Sequence, residues 1–445
     1  MTHHHNLLAH QHQLVAMLKI KGTGATMGKH LDEEQLALLT ELMQSSEAHL
    51  TTKATLLTAM MTLEKNQDEQ IWLYEVGQDP HGYLGTPLAC FFDHDSAWTA
   101  LTPDEKRFLK LILKVIHGQD LDQRAFSEGL SFCFDPDIAE YLKAAFLEAE
   151  RLKRETLDEN LACLNGLVKR THRTHTSLPV LIDIANPYDG YSRTPNLVLA
   201  VAAVLGATGY PTVVHGVESI GPKYGATPSQ LLTMAGKNPL ASADEALNAL
   251  KTLGWAYLDQ AVFSPELFAL KPLRKNMVKR PVLATMEKFV QPIKAKKTIL
   301  VTSYTHPPYK KMLSDVFSAS PLFAQTMIVR GVEGGTQLPL DRKVPCWTVV
   351  GNQVQEGELR PQQFGFEDIP QPTESGVEAS LAFCLEALNG TPGWAYQTVV
   401  YQAAAILTTA GLESAASALE KVTTAIAKGQ ALNAWKAGTP DPACV

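Results

Sequence analysis

The spacing of apolar residues changes twice along the chain. Up to about residue 177 it is helical, with apolar positions recurring on one face over 14–73 and again over the stretch that follows 107. Asp32 stands where it can cap a helix running through Met43, and 51–63 forms a second helix with an Ala/Leu/Met face. Beyond 177 short apolar, β-branched runs alternate with helical patterns. The strands expected are 178–185, 211–215, 255–259, 297–304, 325–330 and 345–350, and the helices between them 196–208, 226–235, 242–253, 264–279 and 307–317. From Glu374 the pattern is helical again, over 375–389, 394–410 and 413–428, with Gly390, Gly411 and Gly429 as stops. The class implied is α/β: a mostly parallel sheet flanked by helices, plus an N-terminal helical bundle.

The bundle text repeats itself. At a gap-free shift of 90 residues, Gly28, Leu31, Asp32, Lys53, Ala54, Leu57, Ala59, Asp68 and Glu69 recur as Gly118, Leu121, Asp122, Lys143, Ala144, Leu147, Ala149, Asp158 and Glu159. A duplicated small bundle is expected, with the Pro- and Gly-bearing stretch 74–107 as linker. Within the first copy, KGTGATMGK is not a phosphate-binding P-loop, because His30 stands where Ser or Thr is required and no strand precedes it.

The stretch 178–225 carries the candidate chemistry. A buried strand ends in a loop of turn formers, Asn186-Pro187-Tyr188-Asp189-Gly190-Tyr191-Ser192-Arg193. Thr194 then stands as a helix cap with Pro195 in the first turn, and an alanine-rich, wholly buried helix follows over 196–208. The next strand delivers His215-Gly216 to its carboxyl end. This is one βαβ unit with two loops at one sheet edge, where open α/β sheets bind ligands, and a helix amino terminus there suits an anion.

Composition narrows the rest. The net charge of −7 excludes a globally basic nucleic-acid binder, and no apolar run approaches the roughly 20 residues of a membrane span. The N-terminus MTHHHNLLAHQHQL is too polar for a secretory signal, and the six cysteines form no CxxC pair, so a cytoplasmic protein is expected. Charge is uneven, however. Residues 265–311 hold eleven Lys/Arg, among them Lys271, Arg274, Lys275, Lys279 and Arg280, against Glu266 and Glu287, a net +9. Such a run is either a solvated face or a patch for phosphates, in a small molecule or in a nucleic-acid backbone.

These residues resemble the family 3 glycosyltransferases, which include anthranilate phosphoribosyltransferase and the pyrimidine nucleoside phosphorylases. HGQDLD…AAFLEAERLKRETLDENLA is similar to the family's helical domain. Asp189-Gly190 and Thr194…Asn196 resemble the end of its phosphoribosyl pyrophosphate loop. Val214-His215-Gly216, with Ser219, Lys223 and Gly225, resembles its KHG element, and Arg274 and Arg280 fall where its acceptor-side arginines lie. The resemblance runs from about 110 to 436. It implies an extra bundle copy and linker over 1–107, a family-type bundle over 108–177 and the α/β domain over 178–445, with a homodimer formed through the bundle.

Departures from the family pattern bear on function. Ala185, Pro187 and Tyr188 replace three loop glycines that let backbone N–H groups close on a pyrophosphate. Thr336-Gln337 stands where the resemblance places a magnesium-binding Asp-Glu pair, so magnesium is left without its acids, although Glu333 or Asp341 could substitute. NPYDGYSRTPN, VVHG, VRGVEGG and PLDR look more like a divergent branch that includes the YbiB-type proteins, which keep the fold but bind nucleic acid. The function expected is therefore a phosphoribosyltransferase-like protein with a degenerate site for a phosphorylated sugar such as phosphoribosyl pyrophosphate; the alternative is a non-catalytic nucleic-acid binder using Lys271, Arg274, Lys275, Lys279 and Arg280. Ligand contacts are expected from Asn186, Asp189, Gly190, Ser192, Arg193, Thr194, Asn196, His215, Gly216, Ser219, Lys223, Arg274, Arg280 and Arg330. The four arginines match phosphate or carboxylate best, by their planar fork. His215 holds a phosphate, acts as an acid or is a histidine satisfied by hydrogen bonds in the core, and Asp189 either orients a ribose hydroxyl or closes an Asx turn.

Overall fold

The computed structural model describes residues 2–24 and 27–437. It divides into two compact units, Met1–Gly166 with Ala269–Met286, and Leu167–Phe268 with Glu287–Val445.

The first unit is helical: α1 (Thr2–Lys21), α2 (Glu33–Gln44), α3 (Leu50–Thr62), α4 (Gln67–Gln78), α5 (Pro103–Ile116), α6 (Gln123–Phe134), α7 (Glu140–Lys153) and α8 (Leu157–Lys169). The starts of α2, α3 and α4 recur 90 residues later as those of α6, α7 and α8. Caps recur with them. Asp32 accepts from the Gln35 amide (2.9 Å) and Asp122 from the Ala125 amide (2.7 Å). Glu69 Oε1 accepts from the Leu31 amide (3.0 Å), and Glu159 Oε1 from the Leu121 amide (2.7 Å). Lys53 and Lys143 each turn an ammonium back onto the carbonyl that ends the preceding helix, at Ser45 and Asp135. Helices α3 and α7 pack on each other, and each is buried around its whole circumference, over 51–60 and 141–150.

Two expectations for this unit change. The stretch 74–107 is not an irregular linker: α4 runs to Gln78, and short helices follow at Pro80–Leu84 and Thr86–Ala89, with a 3-10 turn at Ala97–Ala100. Its prolines start helices, since Pro80, Pro87 and Pro103 each sit in a first turn, where no N–H is needed. The helix expected over 264–279 is broken into Pro265–Phe268 and Lys271–Met277, and ends on Val278 in the left-handed region (φ 63°). The second piece belongs to the first unit.

The second unit holds a seven-stranded sheet: β1 (Val180–Ile184), β2 (Thr212–Gly216), β3 (Trp255–Asp259), β4 (Lys297–Ser303), β5 (Gln325–Val329), β6 (Val344–Val350) and β7 (Gln353–Leu359). The order is β3-β2-β1-β4-β5-β6-β7, parallel through β5 and antiparallel at β6 and β7. Strand order therefore reverses between β1 and β4, which places a ligand crevice at their carboxyl ends. Strand β7 is not among the expected strands because both its faces are solvated: positions 353–357 are all exposed, and only Leu359 is buried. Helix α9 (Val198–Ala207) is buried on all sides and packs in one core with helix Trp394–Thr409. It starts two residues later than expected. Thr194 does not cap it; the Thr194 hydroxyl donates to Gln371 Oε1 (3.3 Å), while Asn196 Oδ1 accepts from the Val198 amide (3.2 Å).

Candidate functional site

Three loops meet at the carboxyl edge of the sheet, those after β1, β2 and β5. The loop after β1 is held from below by Asn186, whose Oδ1 accepts from the amide (2.8 Å) and hydroxyl (2.9 Å) of Thr336 in the turn after β5. Gln337 ties the same turn to the start of α9: Oε1 accepts from the Leu197 amide (3.0 Å) and Nε2 donates to the Pro195 carbonyl (3.1 Å). Gly190 (φ 71°) lies where an added Cβ would meet the carbonyls of Gly225 and Ala226 at 2.6 Å, so the loop runs hard against the segment after β2. Tyr191 and Ala226 complete that contact with reciprocal backbone bonds of 3.1 and 2.7 Å.

On this frame the loop presents donors to one point. The amide of Ser192 (3.0 Å), its hydroxyl (3.0 Å) and the amide of Arg193 (2.8 Å) all donate to the carboxylate of Glu333. Lys223 Nζ lies 3.7 Å from that carboxylate and donates to the carbonyls of Glu333 (2.8 Å) and Gly190 (3.3 Å); Arg193 Nε lies 4.0 Å away. The Glu333 side chain is 3% exposed, whereas Ser192 and Arg193 are exposed. Burial alone would raise the Glu333 pKa, but the Ser192 and Arg193 amides, the Lys223 charge and the Ser192 hydroxyl together bring it below its ordinary value of 4.5.

Residues 189–432, more than half of the chain, match the profile described as "Glycosyl transferase family, a/b domain". The chain belongs to this family. It is 25% identical over 341 residues to an anthranilate phosphoribosyltransferase of Polynucleobacter necessarius, covering 75% of this chain and 96% of the relative. A second anthranilate phosphoribosyltransferase, from Aeropyrum pernix, is 26% identical over 264 residues, covering 59% and 74%. Among solved structures, the Thermus thermophilus anthranilate phosphoribosyltransferase superposes with a TM-score of 0.62 at 21% identity, covering 73% of this chain and 97% of its own. The Saccharomyces cerevisiae enzyme, solved with PRPP and Mg, gives 0.63 at 17% identity, covering 75% and 96%. The α/β fold of this glycosyltransferase family is thus common to all of them.

Within that family fold the expected residues separate. Gly190, Ser192, Arg193 and Lys223 gather around Glu333. Asp189 is buried and its carbonyl accepts from the Gly225 amide (2.9 Å). Asn196 is buried, with its Nδ2 on the Ala226 carbonyl (3.0 Å). Ser219 is half-buried on the segment after β2, and Arg330 is exposed at the end of β5. His215, 1% exposed, lies between two side chains: Nε2 is 2.8 Å from Asp183 Oδ1 and Nδ1 is 2.7 Å from the Tyr188 hydroxyl. A ring protonated at Nε2 donates to Asp183 and accepts from Tyr188, so both nitrogens are used and the core-histidine reading fits this geometry. Gly216 ends β2 beside the Tyr188 ring, with 3.9 Å between an added Cβ and Tyr188 Cδ1.

Arg274, Arg280, Lys271, Lys275 and Lys279 lie in the other unit. Arg274 is buried there (5% exposed), and Lys275 and Arg280 are exposed. Burial and then repulsion by Arg151 lower the Lys279 ammonium to about 8, against the pull of Glu148. The +9 segment is thus divided between two units, with Lys288 buried as well and Lys310 and Lys311 paired to Glu356 and Asp315.

A magnesium ion does not fit the residues at 336 and 337, and the Glu333 carboxylate is taken up by Ser192 and Arg193. Magnesium takes oxygen ligands led by carboxylates. Thr336 and Gln337 are neutral, buried and already bound to Asn186, Leu197 and Pro195, and Asp341 is paired with Arg342 at 2.9 Å. Sequence reasoning missed Asp183 altogether. Its signal was an acid inside the otherwise apolar run LPVLIDIA, where a buried carboxylate requires a partner.

Proposed function

We propose that this chain binds a phosphorylated sugar, of the phosphoribosyl pyrophosphate type, at the carboxyl edge of β1 and β5, and that it transfers the pentosyl group poorly. The observation that carries the reading is the convergence of three donors from Ser192 and Arg193, with Lys223 beside them, on one anionic group. Transfer in such a site rests on electrostatic stabilisation of a cationic sugar and a leaving pyrophosphate, with little covalent work by the protein. Here the support for that chemistry is reduced. Tyr188 occupies space beside His215 where the family resemblance places a glycine, and the neutral Thr336 and Gln337 stand where it places the magnesium carboxylates. The relatives' acceptor, anthranilate, is the first substrate to assay.

Among the five cations of 271–280, Arg274 is buried, and burial lowers the Lys279 ammonium to about 8. The homodimer expected through the bundle is replaced in this reading by an internal pairing, supported by α3 packing on α7 within one chain. A cytoplasmic location goes with the thiols of Cys90, Cys346 and Cys384, which a reducing compartment maintains. Among the described residues no helix is long and apolar enough to cross a membrane.

The test is formation of phosphoribosyl anthranilate by the purified chain with magnesium. Turnover far below the ordinary range, on the order of 1–10 per second, is expected. Ordinary turnover would contradict the reading.

A further inference from the structure

Glu333 is bound as a ligand would be. It reaches the loop from 140 residues away in sequence, and its carboxylate accepts from two backbone amides and a hydroxyl at 2.8–3.0 Å. Two cations flank it, Lys223 at 3.7 Å and Arg193 at 4.0 Å. The residue holds a left-handed backbone conformation (φ 51°), which a side chain other than glycine adopts only at a cost. Gly334 follows it at φ 78° and Gly331 precedes it where a Cβ would meet the Gly335 carbonyl at 2.3 Å, so the turn is tight around the one residue that reaches the loop after β1. Without the carboxylate, two amides, one hydroxyl and two cations would face a common point with one negative group missing. That set of donors matches a phosphate-type oxyanion.

We infer that Glu333 is an internal occupant of an oxyanion seat, standing where the phosphate group of a ligand would otherwise be held by Ser192, Arg193 and Lys223. The inference rests on the reading of this loop as the anion site. It adds that the native chain excludes its own ligand class from that seat until the carboxylate leaves. Both cations and all three donors lie on exposed or half-buried residues, so an incoming anion can compete from solvent.

The experiment is calorimetric titration of the full chain with inorganic phosphate and with pyrophosphate, at constant ionic strength, for the native protein and Glu333→Gly. Glycine suits the backbone at 333, so this variant keeps the turn. Glu333→Ala serves as a second variant, and circular dichroism reports the fold of each. Removal of the carboxylate should tighten phosphate binding at least about 10-fold, equivalent to about 1.4 kcal/mol. Adding Arg193→Ala to Glu333→Gly should abolish the gain, and phosphate should raise the Tm of the variant and not that of the native chain. Equal phosphate affinity in native and variant proteins, or a gain that survives Arg193→Ala, would overturn the inference. The sugar-phosphate reading fails separately: a variant that gains phosphate but does not take phosphoribosyl pyrophosphate keeps the seat and loses that ligand.

Discussion

Two side chains decide what the sheet edge can do, and each is testable alone. Glu333 has a folded pKa lowered by the loop amides and Lys223. A lowered carboxyl pKa contributes stability that is present above the unfolded value, near 4.5, and is lost as pH falls through the folded value. Urea unfolding of the native chain should therefore weaken on acidification below about 4.5, and Glu333→Gln should lose that part of the pH dependence. An unchanged acid limb would separate Glu333 from the loop. Tyr188 is 6% exposed, with its hydroxyl on His215 and on the Glu287 carbonyl (3.3 Å). Restoring the family's residue type by Tyr188→Gly should cost about 3–5 kcal/mol, as aromatic truncations in cores do, and leave His215 short of a partner. Unfolding at unchanged urea midpoint would show that Tyr188 is not the packing residue described. The sequence made the loss of the three glycines visible, and hence a changed loop. It did not show that His215 and Asp183 are partners, because a contact 32 residues apart depends on strand order and not on spacing.

At the scale of elements, periodicity was the dependable signal. Every strand buried on both faces was legible as an apolar run, β3 to the residue. What escaped was β7, an edge strand whose alternation is masked by solvated side chains, and the short helices after α4, whose prolines read as breakers although each begins a turn. The 90-residue shift carried more, since it also aligns the buried acids. Glu69 binds Lys21 Nζ at 2.6 Å and the Leu31 amide; Glu159 binds Lys153 Nζ at 2.7 Å and the Leu121 amide. Glu69→Ala should destabilise the chain by about 3–5 kcal/mol, because it takes the carboxylate from the buried Lys21 ammonium, and Glu159→Ala by less, because Lys153 keeps Asp120 at 2.9 Å. Hydrogen exchange should quicken at Leu31 in the first variant and at Leu121 in the second. A large effect at one site and none at the other would contradict equivalence of the two copies.

For the whole molecule, the first unit pairs two helices that correspond at the 90-residue shift: α3 packs on α7 within one chain, and each is buried around its circumference. If that pairing stands in for the contact between copies, as proposed, no dimer forms through the bundle. Sedimentation velocity should give one species at the chain mass of 48.6 kDa, and a stable dimer would place the pairing surface elsewhere. The second unit carries the central proposal: on this glycosyltransferase-family fold, Glu333 occupies the proposed anion seat, and Thr336 and Gln337 stand where the resemblance places the magnesium acids. The most direct measurement is calorimetric titration of the native chain with phosphoribosyl pyrophosphate, with and without magnesium. The account predicts weak binding, with a Kd of roughly 1 mM or higher, unchanged by magnesium. Micromolar binding that requires magnesium would contradict it.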